Sequence, residues 1–333
     1  VTRPVLRVTD ERWPIAGSFV ISRGSKTEAH VIVAEVTEIL DDGRTITGRG
    51  EAVPYARYGE TVEASKAALE ALAPEVARDL TPTGLADLMA PGAARNALDC
   101  ALIDLAAKRS GQPAWRMLGL TEPKPTVTAE TISIGPLDEM EAKARSLASR
   151  PLLKIKVGAD DPVGRVAAVR RGAPTARLIV DANEAWTPAD LPALLAAMAE
   201  LSVDLIEQPL PADDDAALEG LDSPVPLCAD ESVHTVADLP RLARRYGLIN
   251  IKLDKTGGLT GALDLARAAE DQGMGIMVGC MLATSLAMAP ALLLADRARF
   301  VDLDGPVLLS RDRADGLTFD NGVISPPDPR LWG

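Results

Sequence analysis

Residues 152–158 read LLKIKVG, residues 178–186 read LIVDANEAW and residues 204–210 read DLIEQPL. Each is a short apolar run that stops on charged or amide side chains. The same pattern extends in both directions along the chain. Apolar runs occupy Val127–Ile134, Leu152–Val157, Leu178–Asp181, Leu205–Glu207, Leu227–Asp230, Leu248–Asp254, Gly275–Gly279 and Phe300–Asp304. They recur about every 25 residues, the length of one strand–loop–helix–loop unit. Helix-like segments separate most of them. Thr187-Pro188 ahead of Leu191–Leu201 reads as an N-cap and N1 pair, and Asp264–Asp271 is helical with Gly273 at its end. Eight strands alternating with helices predict an α/β fold of the (β/α)₈ barrel type. A doubly wound open sheet usually has fewer strands and often a Gly-rich first turn, and neither GxGxxG nor a Walker motif occurs here.

The first 122 residues read differently. Val31–Thr37 and Thr45–Ala52 are strand-like, with Asp41-Asp42-Gly43 as the turn between them. Helical patterns follow at Glu60–Asp79 and Ala94–Lys108. The expected organisation is an α+β module over 1–122, a barrel over 123–305 and a Pro-, Asp- and Gly-rich segment, 306–333, that returns to the first module. Pro123-Lys124-Pro125 marks the first boundary.

Aromatic residues make up only 3%, so the core must be built from Ala, Leu, Val and Ile. The net charge of -13 argues against nucleic acid and anionic membranes as partners. Cys100, Cys228 and Cys280 are far apart with no CxxC, which fits a reducing cytoplasm. No apolar run reaches the ~20 residues of a membrane span, and Val1–Arg12 lacks a signal-peptide pattern. Leu282–Ala295 carries Pro290 and reads as a buried helix. His30 and His234 are the only histidines, which excludes a His-rich zinc site. His30 reads as structural. A homo-oligomer is left open.

Barrel active sites lie at the C-terminal ends of the strands. There the runs carry Lys154 and Lys156, Asp181 and Asn183, Glu207, Asp230 and Glu231, Lys252, and Asp302 and Asp304. Asp181, Glu207 and Asp230 end three consecutive strands, about 5 Å apart in a sheet. Three carboxylates this close repel unless a hard cation holds them, and all-oxygen ligation suits Mg²⁺. Strands two and six face each other across an eight-stranded ring. Lys156 and Lys252 therefore approach a substrate from opposite faces, which suits a 1,1-proton transfer. Lys154 shares one side of its strand with Lys156, and a neighbouring ammonium favours the free amine a general base needs. Removing a proton beside a carboxylate requires the resulting enediolate to be stabilised, which Mg²⁺ does as a Lewis acid.

Together LLKIKVG, IVDANEAW, LIEQPL, ADESVHT, INIKLDKTGG and VDLDGP resemble the enolase superfamily in its muconate lactonising branch, and most closely its dipeptide epimerases. The resemblance covers nearly the whole chain, including ISRGSK and EAVPYARYGET. It implies a modified (β/α)₇β barrel with an α+β capping domain, whose loops Ser18–Lys26 and Val53–Gly59 cover the mouth. It implies Mg²⁺ on Asp181, Glu207 and Asp230, bases Lys156 and Lys252, and Lys154 as the supporting ammonium. Asp302 and Asp304 would hold a dipeptide's ammonium, Thr131 would touch the peptide, and Asn183 and Glu231 would support the metal and base residues from behind. Arg23 or Lys26, ahead of Arg57, would meet the side-chain carboxylate of the epimerised residue. The implied reaction is epimerisation of L-Ala-L-Glu to L-Ala-D-Glu, linked to recycling of cell-wall peptide. The alternatives are cycloisomerisation, dehydration to an o-succinylbenzoate-like product, or a non-catalytic metal-binding barrel.

Overall fold

The computed structural model describes residues 2–333. Its N-terminal part, the cap, is an antiparallel sheet of β1 (Val5–Ile21), β2 (Gly24–Ile39) and β3 (Thr45–Ala52), followed by helices α1 (Val62–Glu70), α2 (Ala73–Val76), α3 (Pro82–Leu88) and α4 (Ala93–Ser110). The sequence pattern reveals β3 and the middle of β2, but not β1. That strand exposes alternate polar residues and shifts register between Pro14 and Phe19, so it lacks a continuous apolar signal. The expected Ser18–Lys26 loop is instead a tight hairpin, with Phe19 opposite Lys26 and Ile21 opposite Gly24. Glu60–Asp79 divides into α1 and α2 because Pro74 suits a helix start and not a helix interior. Helix α4 lies directly on β3. A Cβ on Gly48 or Gly50 would come 2.1 Å from a backbone carbonyl of α4, so only glycine permits this approach.

The barrel strands are β5 (Glu130–Ile132), β6 (Leu152–Lys156), β7 (Arg177–Asp181), β8 (Leu205–Glu207), β9 (Leu227–Ala229), β10 (Leu248–Ile251), β11 (Gly275–Val278) and β12 (Phe300–Val301). They form one parallel eight-stranded sheet in chain order. The Ala129 N–H donates to the Val301 carbonyl at 2.8 Å and joins the two edge strands. All eight expected runs supply a strand. The first run is shared, because β4 (Thr126–Val127) pairs with a C-terminal hairpin of β13 (Phe319–Asp320) and β14 (Val323–Ile324). A one-turn 3₁₀ segment, Gly305–Leu308, follows β12 in place of a helix, giving the (β/α)₇β form. The helix after β7 begins at Leu191, and Thr187–Asp190 form the turn ahead of it. Leu282–Ala295 contains helix Ser285–Ala291 and the start of a 3₁₀ segment.

The C-terminal segment returns to the cap. Buried Trp332 donates to the Cys100 carbonyl at 3.1 Å, and the Gly333 N–H donates to Asp104 at 2.8 Å. A buried staple reinforces this closure. Glu51 of β3 accepts from Arg313 at 2.6 Å and from the Thr284 N–H at 2.7 Å, joining cap, barrel and C-terminal segment. Glu51→Ala leaves Arg313 half-paired in a buried setting and should cost about 3–5 kcal/mol. Urea unfolding checks this, and a loss below about 1 kcal/mol would refute the staple's importance.

Candidate active site

Alternation along each strand builds the site. Leu152, Ile179, Leu205, Cys228, Leu248 and Phe300 pack together and close the barrel floor. Two residues further on, the same inward positions are Lys154, Asp181, Glu207, Asp230, Asn250 and Asp302. Lys156, Lys252 and Asp304 lie one pleat higher. Lys156 is in register with Asp181, and Asp181 with Glu207. An apolar layer thus supports a charged one, and both follow from a period of two.

Among the described residues, no three His, Cys, Asp or Glu side chains converge as a ready metal cage. Ammoniums lie between the carboxylates. Lys154 Nζ is 2.7 Å from Glu207, 2.7 Å from Asp302 and 3.1 Å from Asp181. Lys156 Nζ is 2.6 Å from Asp181, and Lys252 Nζ is 2.6 Å from Asp230. Burial opposes ionisation of Asp181 and Asp230, but the surrounding lysines outweigh it and hold both carboxyls below their usual range. Glu207 is pushed up to about 7 by burial and by the charge of Asp181. Burial also opposes charge on Lys154 and Lys252, yet the carboxylates around them hold both ammoniums well above the ordinary lysine value.

The donor chemistry fits a hard divalent cation. The three strand-end groups are carboxylates, with no nitrogen or sulfur among them. Buried oxygens at Asn183 Oδ1, Glu231 Oε2 and Asp302 Oδ1 have no hydrogen-bond partner among the described residues.

A cavity of about 190 Å³ lies between cap and barrel, lined by Lys156, Asp230, Glu231 and Lys252 below and by Phe19, Lys26, Tyr55 and Tyr58 above. A smaller one of about 40 Å³ continues to Thr131, Asp302, Asp304 and Leu308. Asp304 accepts from the Thr131 N–H at 2.7 Å, and burial beside Asp302 pushes its carboxyl up to about 7. Lys26 Nζ lies 5.1 Å from the centre of the Tyr55 ring. Arg23 and Arg57 lie at the rim against Glu184, and Arg23 also pairs with Glu231. His234 meets Tyr58 edge-on, and His30 pairs with Asp10 within the cap.

Several residues escaped sequence reading. Asn250 donates to Glu207 at 2.8 Å, and its place between Leu248 and Lys252 in the inward series was a legible signal. Gln208 accepts from the backbone N–H groups of Asp230 and Ser232, shaping the Asp230 loop. Lys255 holds Asp230 Oδ1 at 2.6 Å. Asp254 accepts from the Val53 N–H at 2.8 Å and from Asn96 at 3.2 Å, tying the cap to the turn that carries Lys252. Gln208 lies in a loop and Asp254 and Lys255 in a one-turn helix, Leu253–Thr256, where no strand period marks them.

Burial pushes Asp254 up to about 7. Its folded carboxyl therefore keeps a proton that the unfolded chain releases near pH 4. The associated stability is present below about pH 4 and is lost as pH rises through 7. Asp254→Asn should flatten this fall and raise Tm at pH 8 more than at pH 4. An equal shift at both values would refute it.

Fold and site define an acid/base enzyme of the barrel class, built on lysines and clustered carboxylates. Residues 139–330 match the enolase C-terminal domain-like family and residues 4–119 match the mandelate racemase / muconate lactonizing enzyme N-terminal domain, and the chain belongs to this enolase superfamily branch. It is 46% identical to the L-Ala-D/L-Glu epimerase of Escherichia coli over 96% of this chain and 98% of that one. An enolase family member from Agrobacterium tumefaciens with homology to dipeptide epimerases, solved with sodium and L-Ala-L-Glu, is 52% identical with a TM-score of 0.95, covering 99% of this chain and 100% of that one. A dipeptide epimerase from Methylococcus capsulatus, solved with Mg and L-Arg-D-Lys, is 32% identical with a TM-score of 0.88, covering 99% of each chain.

Proposed function

We infer that this protein is a Mg²⁺-dependent dipeptide epimerase that inverts the C-terminal residue of alanyl dipeptides, with L-Ala-L-Glu as its substrate. The observation that carries the reading is the placing of Lys156 and Lys252 on opposed barrel strands, lining one cavity with carboxylates between them. Lys156 and Lys252 exchange the α-proton from opposite faces, one removing it and the other delivering it. Asp181, Glu207 and Asp230 hold the metal, which when bound stabilises the charge that grows on the substrate carboxylate. Lys154 adds a positive charge beside those oxygens. Asn183 and Glu231 border the metal and base residues. Asp302 and Asp304 receive the ammonium of the first residue, with Thr131 holding Asp304. The cavity of about 40 Å³ beside them favours alanine there. Such a substrate points to turnover of cell-wall peptide, and the free cysteines suit a reducing cytoplasm.

Lys26 is the cap cation for the substrate's side-chain carboxylate, since it lines the cavity beside Tyr55 whereas Arg23 and Arg57 end on Glu184. Lys26→Met should cut kcat/KM for L-Ala-L-Glu by about 10–100-fold, the worth of a charged hydrogen bond. It should leave L-Ala-L-Gln within about threefold. Equal losses for both dipeptides would rule Lys26 out.

The reading itself is tested in D₂O with Mg²⁺, following the Glu α-proton by NMR. L-Ala-L-Glu should lose that signal and yield the D-epimer, and EDTA should stop it. N-acetyl-L-glutamate, which lacks the ammonium, serves as the comparison. No exchange with any alanyl dipeptide would sink the epimerase reading, and preference for the acetylated substrate would reassign the Asp302–Asp304 site.

A further inference from the structure

Two arginines of the cap reach the barrel rim, and both end on one carboxylate. Arg23, at the hairpin tip, places Nη1 3.0 Å from Glu184 Oε2 and 3.0 Å from the Asn183 carbonyl. Its Nη2 lies 2.7 Å from Glu231. Arg57, in the Val53–Gly59 segment, grips Glu184 with both ends of its guanidinium, at 2.9 and 3.1 Å. The Ala212 N–H, from the loop after β8, donates to the same carboxylate at 2.9 Å. Glu184 thus joins both cap segments over the cavity to a barrel loop. Its side chain is only 9% exposed, while those of Arg23 and Arg57 are 26% and 36% exposed, so the shared carboxylate is buried and the two guanidiniums reach it from the solvent side.

The backbone is committed to this arrangement. Asn183 and Glu184 are consecutive non-glycine residues in the left-handed region, with φ of 44° and 70°. Such strain persists where surrounding structure enforces it, often at functional sites. Here the Glu184 N–H donates to the Gln208 carbonyl at 2.9 Å, and the Asn183 N–H to Asp181 at 2.9 Å. The strained turn directs Glu184 up to the cap.

We propose that Glu184 is a positioning residue that latches the 18–26 hairpin and the 53–59 segment over the active site, and that Arg23 serves this latch and not the substrate side chain. The kinetic half of its test rests on the epimerase reading, and the structural half does not. Glu184→Gln, Arg57→Met and Arg23→Met are compared with the wild type. Each should raise KM about threefold, the worth of a partly exposed ion pair, with a smaller change in kcat. The rise should be the same for L-Ala-L-Glu and L-Ala-L-Gln. Deuterium uptake at 18–26 and 53–59 should accelerate, with little change in the barrel strands or in Tm. If Arg23→Met abolishes the preference for Glu over Gln while Glu184→Gln leaves KM unchanged, Arg23 is a substrate residue and the proposal is overturned. Unchanged uptake in both segments for Glu184→Gln and Arg57→Met overturns the latch as well. If the wild type turns over no dipeptide, the epimerase reading has failed and uptake alone decides the latch.

Discussion

Lys252→Ala should abolish conversion of L-Ala-L-Glu to its epimer, while one of the two epimers still exchanges its α-proton with solvent. In the proposed two-base mechanism the lysines, on opposed strands, each reach only one face of the α-carbon. With Lys252 gone, Lys156 can still remove a proton from the epimer that presents it and return one from solvent to the same face. Lys156→Ala should show the mirror pattern, exchanging the other epimer. Epimerisation should fall at least ~10⁴-fold in each variant, the upper end of what a single acid/base group contributes. Both lysines are buried against carboxylates, so each removal leaves a charge behind. Folding is therefore checked by circular dichroism. NMR in D₂O, started separately from each epimer, reads the outcome. Exchange of both epimers, or of neither, in both variants would contradict a two-face mechanism.

Glu207→Gln should remove Mg²⁺ binding together with activity. The amide retains an oxygen for the 2.8 Å bond from Asn250. It loses the charge that faces Lys154. The fold should persist, and the carboxylate cluster loses one negative charge. Mg²⁺ affinity should weaken at least ~100-fold, since removing a ligand costs no less than disturbing its support. In the wild type, saturating Mg²⁺ should raise Tm, as any ligand that binds only the folded state does. In the variant that rise should disappear. Calorimetric titration and thermal melts measure this without reference to turnover, and an unchanged Mg²⁺ affinity would remove Glu207 from the proposed ligand set. The lysine contacts add a second expectation. Lys252 is held as an ammonium by the carboxylates a cation would claim, so without Mg²⁺ the epimer that presents its proton to Lys252 should show no α-proton exchange at neutral pH.

Much of the site was legible because parallel strands have a period of two. Once Leu152-Lys154-Lys156 is read as a strand, its inward residues follow, and so do Asp181, Glu207, Asp230 and Asp302 on its neighbours. Asn250 obeys the same rule and could have been named. Gln208 and Glu184 obey no such rule, because they act from turns with strained backbone, and Lys255 acts from the one-turn helix that follows β10. Among the three candidate cations of the cap, sequence could not choose. All three are exposed-looking residues in polar segments, and only their partners distinguish them. Arg23 and Lys26 both line the cavity, but Arg23 and Arg57 end on Glu184 while Lys26 lies beside the Tyr55 ring.

Sequence alone determined the barrel, its eight strands and the identity of the charged residues at their ends, since local periodicity and residue type carry that information. Tertiary structure alone decided which charges meet. It showed that lysines currently satisfy the carboxylates, that the Ser18–Lys26 segment is a hairpin, and that Glu51 and Glu184 join the cap to the barrel. Those contacts span more than a hundred residues of chain. Coulomb energy depends on distance in space, and no spacing along the chain reports it.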